Sequence, residues 1–280
     1  MYRIGQFISL SLPLSLAYRV SILICDLHYL FAARDRKMVT DNLRSIFPEM
    51  GKKEINRIRR NTFRNFAKYL VDFFRFSKLD NTYINKHIKV ENREFLDEAL
   101  KKGKGAITLT AHLGNWELGG VIISLLGYNF SAVALPHQNK KVNDFFNNQR
   151  ASKGIKVIPL GNAVRQCLSV LKNNEVLALV GDRDFSGKGI VMDFFNRPTF
   201  FPEGPAAFSL KTGACIVPGF MVRNSNDGFT LRFEKPLELV STGDKQKDLN
   251  KIIGHYKLIF EDYIRRYPDQ WYMFRRFWIE

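Results

Sequence analysis

From Gly105 onward the chain alternates short apolar runs with stretches of helical pattern, and this rhythm restricts its fold more than any other feature. Runs of β-branched and aliphatic residues fall at 105–110, 130–135, 155–160 and 175–180. Between them, 115–126, 140–152 and 162–173 read as helices. Strand–helix–strand units of this length pair their strands in parallel and lay the helices on the sheet. The expected fold is α/β, with a mainly parallel central sheet flanked by helices. After Asp184 a Gly/Phe/Pro-rich loop is expected, then a short helix at Gly204–Thr212. Strands at 215–223 and 228–235 follow, joined by the turn Asn224-Ser-Asn-Asp-Gly228, and a last helix spans 244–267.

The N-terminus is different in kind. No charge occurs from Ile4 to Tyr18, and apolar character runs on to Phe31, interrupted by Arg19 and Asp26. On a helical wheel Ser11, Ser15, Arg19 and Asp26 share one stripe and the rest is apolar. Residues 1–33 are therefore expected to form an apolar helix, half-immersed in a membrane interface or packed on the body, ahead of one α/β domain over 34–280. A cleaved leader is not expected: only Arg3 precedes the apolar run, and no small-x-small site follows it promptly. A long helix is expected from Lys53 to Ser77, its apolar face including Ile55, Ile58, Phe63, Phe66, Leu70 and Phe73. Its flank carries Arg57, Arg59, Arg60, Arg64, Lys68 and Arg75, which suits a solvated side or contact with anionic headgroups. The aromatic, basic tail from Asp269 reads as a second interfacial element.

The balance of 43 Lys+Arg against 27 Asp+Glu gives a net charge of +16 and points to an anionic partner. Nucleic acid is not the expected one, since neither an RNP-like signature nor zinc-finger spacing is present. Three scattered cysteines, Cys25, Cys167 and Cys215, each lie in an apolar run and read as reduced thiols of the cytoplasmic side.

Chemistry concentrates in His112-Leu-Gly-Asn-Trp-Glu117, where the run 105–111 hands over to an apolar helix. A continuous helix would splay residues five apart by about 140°. Gly114 permits a tight turn and Asn115 an N-cap, so Glu117 in the first helical turn is expected to reach back to His112. Such a pair takes a proton from a hydroxyl. Five residues after His28, His87, His137 and His255 stand Ala33, Asn92, Val142 and Phe260, so this spacing is met at His112 alone. Asp182-Arg183-Asp184 follows the strand 175–180, at the edge where α/β proteins place functional groups. It is also a DxD, the pattern with which glycosyltransferases hold a metal and a sugar nucleotide. Gly181–Gly189 fails as a P-loop, because Gly189 stands where Ser/Thr should follow Lys188. No Gly-x-Ser-x-Gly elbow and no zinc spacing is present, and no metal is assigned. Arg150 ends the helix 140–152, either as a charge on the helix dipole or reaching over the sheet edge to an oxyanion or phosphate. A non-catalytic, peripheral lipid-binding role also remains open on the residues alone.

Taken together, these segments resemble the bacterial lipid A late acyltransferases, the lauroyl/myristoyl transferases, within the wider His-x4-Asp/Glu glycerolipid acyltransferases. The mycobacterial phosphatidylinositol mannoside acyltransferases are relatives of that family. The resemblance runs through Asp41-Asn-Leu-Arg-Ser-Ile-Phe-Pro48, the segment 112–117, Arg150-x3-Gly154 and Asp182-Arg-Asp184. It continues through Gly204–Ala214 and Val217–Arg223 to Tyr267-Pro-Asp-Gln-Trp271. It departs at Arg183, where the family more often has Gln, and in the tail, which lacks the usual Trp-x-His-Arg ending. The resemblance implies acyl transfer from acyl carrier protein or coenzyme A to a hydroxyl of an anionic membrane lipid, without cofactor, on the cytoplasmic face of the bacterial inner membrane. It implies His112 as general base and Glu117 as its orienting partner. Gly114, Asn115, Arg150, Asp182 and Arg183 are the expected substrate-binding residues, with backbone amides near Gly114–Trp116 receiving the oxyanion.

Overall fold

The computed structural model of the chain describes residues 2–185, 187, 189–237 and 242–279. Lys188, weighed above in the Gly181–Gly189 stretch, lies outside them. The N-terminal part is helical: α1 (Tyr2–Ser11), α2 (Leu14–Phe31), α3 (Ala33–Ile46), α4 (Lys52–Phe74) and α5 (Asn81–His87). Then come β1 (Ile88–Glu91), α6 (Glu94–Lys101), β2 (Ala106–Thr110), α7 (Trp116–Leu125), β3 (Phe130–Ala134), α8 (Lys140–Ala151) and β4 (Lys156–Pro159). The chain continues with α9 (Ala163–Lys172), β5 (Val176–Val180), β6 (Ile190–Phe194), β7 (Arg197–Phe201), α10 (Gly204–Thr212), β8 (Cys215–Arg223), β9 (Phe229–Phe233) and α11 (Lys245–Arg266).

Seven strands form one sheet in the order β1-β9-β8-β2-β5-β3-β4, and only the β8–β9 pair is antiparallel. The inner strands are apolar on both faces because both faces are covered. In β2, Ile107 and Leu109 join the cluster made with α9, α10, α11 and the C-terminal tail, while Ala106 faces α6, α7 and the end of α4. β5 alternates in the same way, Leu177 and Leu179 against Val176. The result is three layers, with β2 and β5 near the middle.

Three expectations give way. The segment after Asp184 is not a plain loop: Ile190–Phe194 and Arg197–Phe201 form an antiparallel hairpin outside the main sheet. Its buried Phe194 and Phe201 belong to the core, a pairing hidden by the Gly and Pro around it. The tail is not an interfacial element, for Trp271, Tyr272, Met273 and Trp278 are all buried. The expected single helix over 1–33 is two, broken where Pro13 lacks the N–H to continue α1.

The basic flank of α4 holds neighbouring segments rather than headgroups. Arg60 and Arg64 pair with Asp26 of α2, Arg59 donates to Tyr29 Oη at 2.7 Å, and Arg75 donates to the carbonyls of Ser9 and Leu12. Arg64 foremost, with Arg60, pulls the Asp26 carboxyl down to about 2. Of the polar stripe only Asp26 turns to α4, while Ser15 and Arg19 are exposed. The helix α2 also presents Leu16, Leu23, Ile24, Leu27, Leu30 and Phe31 to the outside, Phe31 at 80% exposure. By length and composition α2 is apolar enough to cross a bilayer.

Candidate active site

His112 and Asp182 meet because of strand register. β2 and β5 are parallel neighbours with Thr110 opposite Val180, so the second residue beyond each strand end falls at the same height. His112 Nδ1 lies 2.6 Å from Asp182 Oδ1, and the His112 backbone N–H donates to Oδ2 at 3.0 Å. The Trp271 indole N–H donates to Oδ2 at 3.2 Å. Asp182 is wholly enclosed. Burial pushes its pKa up, but the charge and hydrogen bonds of His112, with the Trp271 indole, outweigh it and hold the carboxyl below its usual range. An ionised carboxylate only accepts, so Nδ1 directs a proton at Asp182 and Nε2 is the ring nitrogen left to face elsewhere.

Glu117 does not reach back to His112. α7 begins only at Trp116, and Glu117 in its first turn points to the last turn of α8. There Arg150 grips it as a two-pronged fork: Nε donates to Oε2 at 2.8 Å and Nη2 to Oε1. The two side chains are only 12% and 11% exposed. Burial opposes the charge on Arg150, yet Glu117 raises its pKa above the usual value. The expected His112–Glu117 dyad is therefore replaced by two pairs, His112–Asp182 and Glu117–Arg150. The fork of Arg150 is filled by Glu117 and Asn147.

Two of the expected oxyanion donors, the amides of Gly114 and Asn115, are committed elsewhere. The Gly114 N–H donates to Gln270 O at 2.8 Å and the Asn115 N–H to Met221 O at 2.7 Å. Gly114 has φ +65°, and a Cβ there would stand 2.0 Å from Met221 O, so only glycine fits this crossing of loop and β8. Asn115 caps α7 as expected, accepting from the Leu118 N–H at 3.0 Å. Its amide nitrogen then donates to buried Asp72 at 3.0 Å. Asp72 also accepts from Tyr18 Oη of α2 at 2.5 Å and from Arg223 of β8. Asp72 and Tyr18 keep Arg223 charged against its burial. Gly114 and Asn115 thus fix the loop that carries His112.

Asp72, Gln270 and Trp271 were missed by sequence reasoning. Asp72 was visible as a lone carboxylate between Val71 and Phe73 on an apolar helix face. The tail gave no sign that it would run beside the hexapeptide, where Leu113 bridges Trp271 and the Tyr272 N–H donates to His112 O at 2.9 Å. Arg183 lies half-buried with its guanidinium 4.7 Å from the centre of the Phe185 ring; burial first, then Arg275, lowers its pKa.

The DxD reading fails on this geometry. The oxygens of Asp182 are taken by His112 and Trp271, and Asp184 Oδ2 accepts from the Gly189 N–H at 3.0 Å.

The whole chain, residues 1–280, matches the family model described as bacterial lipid A biosynthesis acyltransferase. It is 29% identical over 224 residues to the phosphatidylinositol mannoside acyltransferase of Mycolicibacterium smegmatis, covering 79% of this chain and 72% of that protein. The phosphatidylinositol mannoside acyltransferase of Mycobacterium tuberculosis is 30% identical over 160 residues, 55% of this chain and 51% of that one. The chain therefore belongs to the bacterial lipid A biosynthesis acyltransferase family, and it is an acyltransferase.

Proposed function

We propose that the protein transfers a fatty acyl group from a thioester of acyl carrier protein or coenzyme A to a hydroxyl of a membrane lipid, either a lipid A precursor or a related glycolipid or lysophospholipid. The observation that carries this reading is His112, with Nδ1 at 2.6 Å from buried Asp182, which leaves Nε2 as the nitrogen to act as base. Nε2 accepts the proton as the acceptor oxygen attacks the thioester carbonyl carbon. The tetrahedral adduct collapses, the carbon–sulfur bond breaks, and the imidazolium returns the proton to the leaving thiolate. Asp182 steadies the imidazolium and fixes the tautomer. General-base catalysis of this kind is worth roughly 10²–10⁴ in rate. No covalent enzyme intermediate is needed, because the thioester is already activated. With the Gly114 and Asn115 amides committed, Arg183 beside Asp182 is the proposed cation for the developing oxyanion.

The apolar stripe of α2 supports a place on the membrane, since an exposed patch of this kind on a helix seeks lipid. Free cysteines at 25, 167 and 215 suit the cytoplasmic face of the inner membrane. The expected anionic lipid acceptor fits the net charge of +16.

The test is turnover of an acyl thioester with a glycolipid acceptor by purified protein. His112→Ala should lose transfer by at least 10² in a protein that still folds, as circular dichroism checks. Full activity in that variant overturns the reading. Offering a phosphatidylinositol mannoside and a lipid A precursor side by side, with mass spectrometry of the products, assigns the acceptor.

A further inference from the structure

Away from His112, an open cavity of about 600 Å³ lies between α3, the β6–β7 turn, the end of α11 and the tail. Arg44, Arg197, Arg265 and Arg276 line it, against the single carboxylate of Asp41 among the described residues. Trp278 lines it too, and is 6% exposed. Its indole N–H is buried and, among the described residues, has no acceptor. Buried donors are almost always paired, and this unpaired one belongs to a residue of the arginine-lined wall. A phosphate ester only accepts, carries the opposite charge, and matches the guanidinium fork.

Two of the arginines are fixed by their neighbours, Arg265 also through Glu261 at 3.6 Å. Arg197 donates to Ser45 Oγ at 2.7 Å, and its guanidinium carbon is 5.6 Å from the centre of the Trp278 ring. Arg265 lies over Phe195 at 4.8 Å. Phe195 and Asn196 both have left-handed backbones, φ +52° and +60°, which is rare for a bulky Phe. The Phe195 N–H is fastened to buried Glu261 at 2.9 Å, so the turn is fixed by its surroundings and presents Arg197 at the cavity.

The cavity is also tied to the active site. Asn42 in its wall donates to the carbonyls of Met273 and Arg275, each at 3.0 Å. One residue back along the tail, the Tyr272 N–H donates to His112 O. We propose that this cavity binds the phosphate of a phosphorylated substrate while the reacting end of the same molecule lies at His112. The site rests on the acyl-transfer reading for the identity of that molecule. Two sources share the chemistry, the phosphates of coenzyme A and the headgroup phosphate of a phospholipid.

The experiment titrates the full chain with coenzyme A by calorimetry, and separately measures its flotation on phosphatidylcholine vesicles with and without phosphatidylinositol. Arg197→Gln and Arg276→Gln, both at exposed positions, are compared with the parent and with Trp278→Phe, which keeps the ring and deletes the donor. Each arginine variant should weaken binding roughly tenfold and Trp278→Phe severalfold. Loss in the coenzyme A arm assigns the donor's phosphates. Loss confined to the gain from phosphatidylinositol assigns the lipid headgroup. Variants that match the parent in both arms overturn the proposal. His112→Ala is run alongside and should bind like the parent. Its turnover tests the acyl-transfer reading independently, so either conclusion can fail while the other stands.

Discussion

The His112–Asp182 pair and the Glu117–Arg150 pair sit at the two ends of one six-residue segment, yet they are built for different work. Asp182 is enclosed and engages one ring nitrogen, so His112 keeps the other for chemistry. Arg150 takes both oxygens of Glu117, leaving that carboxylate no lone pair aimed at the imidazole. The first pair holds a proton in place beside an open position. The second is a closed ion pair that clamps α7 to α8. A place in the same short segment therefore says little about role; what each group meets decides it.

The largest effect that can break this comparison is Asp182→Asn, which keeps the shape but favours the wrong tautomer. It should lower kcat by about 10²–10⁴ with little change in fold. Next, Arg150→Ala leaves Glu117 mostly buried without its fork. It should cost about 3 kcal/mol, a fall in Tm of roughly 6–12 °C in thermal unfolding. A kcat loss without a Tm change would instead place Arg150 in the chemistry. Smaller again, Trp271→Phe removes one of three donors to Asp182 and should lower kcat roughly tenfold, with KM nearly unchanged.

The smallest effect is a pH dependence. Because the folded state depresses the Asp182 pKa, its ionised form contributes stability at neutral pH that is lost as pH falls below the ordinary carboxylate range. The Tm gap between the parent and Asp182→Asn should therefore narrow on acidification. A gap that widens reverses the sign of the account.

Much of this architecture could be read from residue pattern. β2, β3, β5 and β8 lie within a residue or so of the expected runs, because strands buried on both faces must be apolar throughout. β1, Ile88-Lys-Val-Glu91, escaped notice: it is an edge strand with only half-buried apolar positions. The hexapeptide is legible as the chemical segment and Asp182 and Arg150 as site residues, but not that Asp182 pairs with His112 and Arg150 with Glu117. His112 and Asp182 are 70 residues apart. They meet only because β5 lies next to β2, and strand order leaves no local trace. The Glu117 expectation failed for a related reason. The turn was expected to close on itself, whereas the carbonyls of Gln270 and Met221 hold it open from outside. The tail misled because Trp271 and Tyr272 have the composition of an interfacial segment and the burial of a core.

The central claim is that Asp182, and not Glu117, holds the proton on His112 Nδ1. Proton NMR of a histidine Nδ1–H bonded to a carboxylate reads this directly, as a resonance far downfield of the amides. The account predicts that this signal is present in the parent, persists in Glu117→Gln and disappears in Asp182→Asn. Its loss in Glu117→Gln with survival in Asp182→Asn would contradict it.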